Sequence, residues 1–257
     1  MELSQHYLTF PFYVPRVVFL VRNWPQYFFN YIFRLKRPTE YRFRNGSRLI
    51  DPIGTLAGTI AVIFVRREYG SIRNFRTIID VGANMGGFAL FAAKSCPEAT
   101  IYCYEPEQNN FSTLTRNITV NHLQNRVSAF QCAVASSSGP REIAVNLSPL
   151  HSLFTTSKGG RRQSINCVTL SEIIKDLSLE KIDLLKMNCE GAEYEIFGNC
   201  AQEHLDRIHN IRLEYHELDA GKNNGDSLCR LLEKGGFIIE RFTRYKGESG
   251  FIWACRS

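Results

Sequence analysis

The sequence predicts an α/β fold built around a parallel β-sheet, preceded by an N-terminal extension of helices and strands. The first observation is that short β-rich runs alternate with helical stretches beyond residue 75, which is the pattern of βαβ units. The second is size and composition, because 257 residues with 44% hydrophobic content can form one sizeable core. One large domain is therefore expected rather than two small ones.

The alternation begins with two strand–helix pairs. They are a strand in TIIDV (77–81), a helix in GFALFAAKS (87–95), a strand in TIYCYE (100–105) and a helix in EQNNFSTLTRNITVN (107–121). A third strand is expected in RVSAFQCAV. Residues 136–170 then interrupt the alternation of strands and helices with a polar strand, a long loop and a strand in INCVTL. Long irregular segments inside compact domains are usually functional.

Beyond residue 170 the alternation resumes. The expected elements are a helix in SEIIKDL, a strand in IDLLKMN, a helix in AEYEIFGNC, a strand in NIRLEYH, a helix in NNGDSLCRLLEKG and a closing hairpin in GFIIERFTRY and SGFIWACR. Ligands of open α/β sheets bind at the carboxyl ends of the strands, so the residues that end each strand are candidates for a site.

The excess of positive charge lies in the first 50 residues. They hold eight Lys/Arg and two acids, whereas the remaining residues hold 23 of each sign, and they also carry 13 of the 31 aromatic residues. Because the charge balances beyond residue 50, no broad basic face and no nucleic-acid partner are expected.

Residues 1–37 form a basic aromatic segment that contains a predicted amphipathic helix. Asn23 is a possible N-cap and Pro25 lies near the helix start, and a stripe at helical spacing consists of Tyr27, Phe28, Tyr31 and Leu35. Two interpretations remain open. The helix packs on the main domain and exposes its arginines to water, or it makes peripheral contact with a membrane surface or a partner.

Cysteine usage favours a cytoplasmic protein. The eight cysteines form no CxxC pair and several lie in apolar runs, which is typical of reduced core thiols rather than disulfides or zinc ligands. No apolar run is long enough for a transmembrane helix and the N-terminus lacks the pattern of a secretory signal, so neither secretion nor a membrane span is expected. No histidines or acids have helix-face metal spacing, so no metal is expected.

The stretch IIDVGANMGG (78–87) predicts a ligand site. A strand that ends in DVGAN and turns through MGG into a helix brings backbone N–H groups and a helix N-terminus together. Gly82 permits a tight turn, and Glu105 at the end of the next strand can accept hydrogen bonds from a ribose diol. The spacing is not that of a dinucleotide-binding G-x-G-x-x-G, because Asn84 replaces the second glycine, and the P-loop lysine is absent.

Asp80 at the strand end suits a ligand that carries positive charge better than one that carries phosphates. S-adenosylmethionine, which has an ammonium and a sulfonium group, fits that requirement. The residues expected to bind this cofactor are Asp80, Gly82, Ala83, Asn84, Gly86, Phe88, Glu105 and Ala133.

Three stretches resemble FkbM-type S-adenosylmethionine-dependent methyltransferases. They are IIDVGANMGGFAL…IYCYEPEQNN, DLLKMNCEGAEYEIF and IRLEYH, and the resemblance covers about residues 40–256. It implies a class I methyltransferase domain over residues 38–257, with a Rossmann-like seven-stranded sheet whose last strand is antiparallel. It also implies O-methylation of an acceptor hydroxyl on a sugar, another glycan or a small natural product.

One position departs from that family. Where the family usually has an aspartate, in KIDVEGAE, this chain has Asn188. If the carboxylate serves as a base, the chain is expected to be a catalytically weakened cofactor-binding or scaffolding protein. If it only forms hydrogen bonds, the amide is close to isosteric and little is lost.

Methyl transfer to a hydroxyl needs a group that takes the hydroxyl proton. The strand ends are expected to bring four candidates into one crevice with Gly82 and Glu105, namely Asn188, Glu190, Glu214 and His216. His216, as a neutral imidazole near pH 7, is the first candidate for the base. Glu193 and His151 are other possible sources, and Glu190 could instead cap the helix that begins at Gly191 or Ala192.

Overall fold

The computed structural model describes residues 10–33, 35–145, 161–219, 222–245 and 249–256. The chain begins with helices α1 (Phe10–Leu20) and α2 (Trp24–Phe33), followed by the hairpin β1 (Thr39–Arg42) and β2 (Arg48–Asp51). Helix α3 (Leu56–Ile60) continues as a π-helical turn over Ala61–Arg66. Asp51 starts this helix, because its carboxylate accepts hydrogen bonds from the backbone N–H groups of Gly54 and Leu56, both at 2.7 Å.

The α/β part has strands and helices in alternation. Its strands are β3 (Thr77–Val81), β4 (Thr100–Tyr104), β5 (Val127–Phe130), β6 (Ala133–Ala135), β7 (Gly139–Val145), β8 (Arg161–Thr169), β9 (Leu184–Met187), β10 (Asn210–His216), β11 (Ile238–Arg244) and β12 (Ser249–Cys255). Its helices are α4 (Gly87–Ser95), α5 (Gln108–Val120), α6 (Leu170–Asp176), α7 (Glu193–Asn199), α8 (Gln202–Leu205) and α9 (Gly225–Lys234).

The central sheet has seven strands in the order β11-β12-β10-β9-β3-β4-β5. Strand β12 runs antiparallel to both of its neighbours, and the pairs from β10 to β5 are parallel. This confirms the predicted Rossmann-like sheet with a reversed last strand. The chain leaves β3 toward β4 on one side and returns to β9 on the other, so the crevice at the carboxyl ends of β3 and β9 lies at a topological switch point.

The prediction of one continuous third strand in RVSAFQCAV is wrong, because the structure has two strands there. Its first half is β5 of the central sheet, and its second half is β6 of a separate three-stranded sheet with the order β6-β8-β7. Between the halves, Gln131 donates a hydrogen bond to Gln108 at the start of α5 at 2.7 Å. The predicted polar strand and INCVTL strand are β7 and the end of β8. The predicted loop, SPLHSLFTTSKGGRRQS, is wrong at its end, because residues 161–164 belong to β8 and pair with β7, and the rest of it, with His151, lies outside the described part of the chain.

The predicted face of α2 packs on the domain. Tyr27 is buried, and Phe28 and Tyr31 pack against the same core. Asn23 does not cap the helix, because its side chain accepts a hydrogen bond from the Arg42 backbone N–H and donates one to the Glu40 carbonyl, both at 2.9 Å. Leu35 lies beyond the helix end. None of the helices in the described ranges is long and apolar enough to cross a bilayer.

The cysteines are free thiols, and their burial is mixed. Cys96, Cys103 and Cys167 are buried in the core, whereas the other five are half-buried.

Candidate functional site

A cavity of about 260 Å³ opens at the carboxyl ends of β3, β4, β9 and β10. Most of the predicted site residues line it together, namely Gly82, Ala83, Asn84, Phe88, Glu105, Ala133, Asn188, Glu190, Glu214 and His216. One wall comes from the N-terminal extension, through Thr55 at the start of α3, Thr59, Ile63 and the following Tyr69. The predicted crevice is therefore present, and it is closed on one side by a helix that precedes the sheet.

The turn after β3 requires glycine at position 82. Its φ is +71°, and a Cβ there would lie 1.8 Å from the backbone oxygen of Asn188. The N–H groups of Gly82 and Ala83 both donate to the Tyr104 carbonyl at 3.0 Å, and that of Asn84 donates to Glu105. The expectation of bare N–H groups is therefore wrong at these three positions, because the end of β4 already satisfies them.

Gly86 does not line the cavity, contrary to prediction. It begins α4 with a φ of +88°, and a Cβ there would lie 2.8 Å from the Leu114 side chain. This glycine therefore allows α4 to approach α5 closely, and it supports the site only through helix packing.

Glu105 lies where a ribose-binding carboxylate is expected. It is buried at the cavity wall, and its two oxygens accept hydrogen bonds from the backbone N–H groups of Asn84 at 2.8 Å and Glu107 at 3.0 Å. Burial outweighs these hydrogen bonds and raises the pKa of Glu105 to about 7. Because each carboxylate oxygen can accept two hydrogen bonds, Glu105 can still accept from a hydroxyl pair.

Asp80 is not a ligand-facing residue, which corrects the prediction. Its side chain is fully buried beneath the cavity, 2.8 Å from Nζ of Lys186 on the neighbouring strand. Lys186 also donates a hydrogen bond to the Gly82 carbonyl at 2.9 Å and lies over the rings of Tyr69 and Phe88. The acid therefore neutralises an internal cation that holds the β3 turn.

Asn188 and Glu214 line the cavity side by side and are joined by a hydrogen bond. Asn188 Nδ2 donates a hydrogen bond to Glu214 Oε2 at 3.0 Å, and the Tyr69 hydroxyl lies 3.5 Å from the same oxygen. This orients the amide so that Asn188 Oδ1, which is buried, has no donor among the described residues. An orphaned acceptor beside a cavity indicates a ligand that brings a donor, such as an ammonium or hydroxyl group.

His216 is surrounded by carboxylates. Its Nε2 lies 3.5 Å from Glu190, and its Nδ1 lies 3.7 Å from Glu193, which is too long for a hydrogen bond. Burial favours the neutral ring, but the interaction with Glu193 and the charges of Glu190 and Glu214 outweigh it and raise the pKa of His216 to about 9. The expectation of a neutral imidazole near pH 7 is therefore wrong for the protein without ligand.

Glu193, rather than Glu190, supports the loop after β9. Its buried carboxylate accepts hydrogen bonds from the backbone N–H groups of Cys189 at 3.0 Å and Gly191 at 2.9 Å. Glu190 lines the cavity in a left-handed conformation with a φ of +55°. Such a conformation is costly for a non-glycine residue and is frequent at functional sites.

Glu190 and Glu214, which line the cavity together with Glu105, hold their protons more tightly than ordinary glutamates. Burial raises the pKa of Glu190 and of Glu214, although the positive charge of His216 opposes the shift in both. Within the described ranges, no group of three His, Cys, Asp or Glu side chains is arranged to hold a metal ion.

Sequence reasoning missed Lys186, Tyr69 and the α3 wall. A signal existed for Lys186, because it is the one charged residue within the buried strand β9, and its register partner on β3 is Asp80. A lysine in such a strand needs a buried acid. No comparable signal marks Thr55 or Thr59, since their role follows from how α3 packs against the sheet.

The residues present fit S-adenosylmethionine. Glu105 offers a carboxylate for the ribose hydroxyls, Asn188 offers an unsatisfied acceptor, and the carboxylates around His216 favour a cationic ligand. The positive charge of Lys186 does not repel a cationic ligand, because the Asp80 carboxylate, 2.8 Å away, neutralises it.

Comparisons with known proteins find methyltransferases that are similar to this chain. Methyltransferase sdnD from Sordaria araneosa is 29% identical over 195 residues, which cover 64% of this chain and 74% of the relative. The 31-O-demethyl-FK506 methyltransferase FkbM from Streptomyces tacrolimicus is 26% identical over 193 residues, covering 63% and 72%. A solved structure, M. capricolum TrmK with S-adenosyl-homocysteine, aligns with a TM-score of 0.47 and 12% identity over 75% of this chain and 67% of that one.

The family profile described as the methyltransferase FkbM domain matches residues 80–239, more than half of the chain. The match runs from the buried acid of β3 to the start of β11 and includes the strand ends that form the cavity. The chain therefore belongs to the FkbM methyltransferase family and is an S-adenosylmethionine-dependent methyltransferase.

Proposed function

We propose that this protein methylates a hydroxyl group of a sugar or a small natural product, and that His216 accepts the hydroxyl proton. The observation that carries the proposal is the position of His216 in the cavity wall, with Nδ1 facing the buried Glu193 and Nε2 facing Glu190. With the Glu193 carboxylate 3.7 Å from Nδ1, the proton of the neutral ring is favoured on that nitrogen, and Nε2 is left to accept a proton.

Cofactor binding uses the half of the cavity near β3 and β4. When bound, S-adenosylmethionine supplies a methyl group on a sulfonium, which is a good leaving group. Glu105 accepts hydrogen bonds from the ribose hydroxyls, and Asn188 Oδ1 accepts one from a ligand donor. Tyr69 and Phe88 also line the cavity, and the ammonium group of Lys186 lies over both rings, 5.6 and 5.7 Å from their centroids.

Proton transfer depends on the charge around His216. In the protein without ligand the imidazole is protonated below about pH 9. A positive charge in the adjoining cavity lowers the pKa of a histidine, because it disfavours a second cation. His216 Nε2 would then take the proton of the acceptor hydroxyl as its oxygen gains the methyl group and the methyl–sulfur bond breaks, and Glu190 would stabilise the resulting imidazolium.

The charge of the cavity indicates the class of acceptor. Glu190, Glu193 and Glu214 surround the single cation of His216, so an acceptor that carries a phosphate or a carboxylate would be repelled. A neutral polyhydroxyl compound fits this environment. The relative named 31-O-demethyl-FK506 methyltransferase supports an oxygen acceptor.

The test is a transfer reaction with S-adenosylmethionine that carries an isotopically labelled methyl group. The acceptor pools are neutral glycans, neutral hydroxylated metabolites and, as a charge control, phosphorylated sugars. We expect a labelled methoxy carbon in the products of a neutral pool, identified by carbon NMR. A labelled N-methyl or C-methyl product, or preference for the phosphorylated pool, would refute the proposal.

A further inference from the structure

Helix α2 exposes a face that is more apolar than the face it buries. Phe29, Ile32 and Phe33 are 51%, 47% and 62% exposed. On the opposite face, Tyr27 and Asn30 are buried, and Asn30 donates hydrogen bonds to side chains of the β1 strand. A helix on a water-facing surface normally shows the reverse distribution.

Two more exposed aromatic side chains lie on the N-terminal side of α2. Trp24 at its first position is 37% exposed, and Phe19 near the end of α1 is 78% exposed. The rings of Phe29 and Phe33 lie 5.0 Å apart and form a pair on the surface. We call these five side chains, Phe19, Trp24, Phe29, Ile32 and Phe33, the apolar face.

Exposed basic residues flank α2 at both ends, and we call them the basic rim. Arg22 precedes α2, and Lys36 and Arg37 follow it, all exposed, whereas α2 itself contains no charged residue. The β1–β2 hairpin packs against the opposite, buried face of α2 and carries exposed Arg42, Arg44 and Arg48. It contacts α1 as well, because Arg44 Nε donates a hydrogen bond to the Val18 carbonyl at 2.9 Å.

Little negative charge opposes this basic rim. Glu40 is the one acid among the described residues from 10 to 50, and it lies 2.9 Å from Arg42 and 3.9 Å from Arg48. Burial and the neighbouring positive charge of Arg67 lower the pKa of Arg16 on α1. The surface therefore combines exposed aromatic rings with a strong local excess of cations.

We propose that α1, α2 and the basic rim form a docking surface for an anionic lipid bilayer. The apolar face enters the interface between headgroups and acyl chains, and the basic rim contacts the lipid phosphates. A second copy of the chain is a poorer occupant, because a two-fold interface would bring the two basic rims together. This inference goes beyond the methyl transfer and does not depend on it.

The experiment measures sedimentation of the full chain with vesicles of phosphatidylcholine alone and of phosphatidylcholine with phosphatidylserine. We expect binding to the anionic vesicles, weak binding to the neutral ones and release at high salt, since the attraction is screened. The double variant Phe29→Ser/Phe33→Ser and the triple variant Arg22→Gln/Lys36→Gln/Arg37→Gln should each weaken anionic binding at least tenfold.

Ile238→Ser on β11 is the matched control, because Ile238 is 57% exposed and lies outside the apolar face. It should bind anionic vesicles as the wild type does. Thermal unfolding and S-adenosyl-homocysteine binding should be unchanged in every variant, which shows that the domain stays folded. Equal binding to neutral vesicles, unchanged binding of the double variant, or a dimer that the double variant abolishes would overturn the proposal.

Discussion

Asn188 and Glu214 lie at the ends of neighbouring strands and share a hydrogen bond of 3.0 Å from the amide nitrogen to the carboxylate. The family resemblance leads one to expect an aspartate at position 188. In this chain, that aspartate would face the Glu214 carboxylate at hydrogen-bond distance, in a place where burial already raises the pKa of Glu214. The amide therefore removes a repulsion and supplies a donor.

Asn188→Asp should preserve turnover within about tenfold but make stability depend on pH. Two carboxylates at this distance share a proton, so the pair holds one proton more tightly in the folded state than in the unfolded state. The variant should match the wild type near pH 4 and lose stability as pH rises, by roughly 0.5–3 kcal/mol at pH 8. Urea unfolding at the two pH values measures this. A stability difference that does not vary with pH would contradict the shared proton.

Glu105 should make cofactor binding depend on pH. Its pKa of about 7 in the protein without ligand means that it must lose a proton to accept two hydrogen bonds. Affinity for S-adenosyl-homocysteine should therefore rise from pH 5.5 to about 7 and then level off. The dissociation constant should be micromolar, which corresponds to a binding free energy on the order of −8 kcal/mol.

Calorimetry of wild type and Glu105→Gln tests this dependence. The glutamine variant should bind at least tenfold more weakly at pH 8, because a charged acceptor is lost, and should show little variation with pH. Equal affinity of the two proteins at pH 8 would show that Glu105 does not contact the ligand.

Lys186→Met should destabilise the fold by about 3–5 kcal/mol, because it leaves the buried Asp80 without its partner. The double variant Asp80→Asn/Lys186→Met should recover most of that loss, since no charge then remains buried. Denaturant unfolding of both variants measures the free energies. If Asp80→Asn alone instead abolished cofactor binding in a folded protein, Asp80 would be a ligand-binding residue after all.

Glu190→Gln should shift the pH–rate profile to lower pH. Glu190 is one of the carboxylates that raise the pKa of His216, so its removal lowers that pKa and yields neutral imidazole at lower pH. The rising limb of turnover should move in the acid direction. Glu217→Gln is a suitable control, because this neighbouring carboxylate is not among the groups that shift His216. Equal shifts of the pH–rate profile in the two variants would contradict a specific interaction between Glu190 and His216.

The order of strands and helices could be predicted because hydrophobic periodicity and turn residues report local structure. The gathering of Glu105, Asn188, Glu190, Glu214 and His216 followed from the same pattern, because parallel strands end at one edge. The role of Asp80 could not be read in this way, since it is decided by Lys186 on a strand far away in the sequence. The charge state of His216 likewise depends on how several acids meet in space.

The most direct test of the account is the amount of S-adenosyl-homocysteine released per enzyme molecule at pH 9, with a neutral hydroxyl acceptor pool. The wild type should exceed its acceptor-free background, and His216→Ala should lower the rate by roughly 10² to 10⁴ with cofactor affinity nearly intact. Equal rates in the two proteins would contradict the role of His216. Cofactor binding by the wild type without release above background would contradict the proposed transfer to a hydroxyl group.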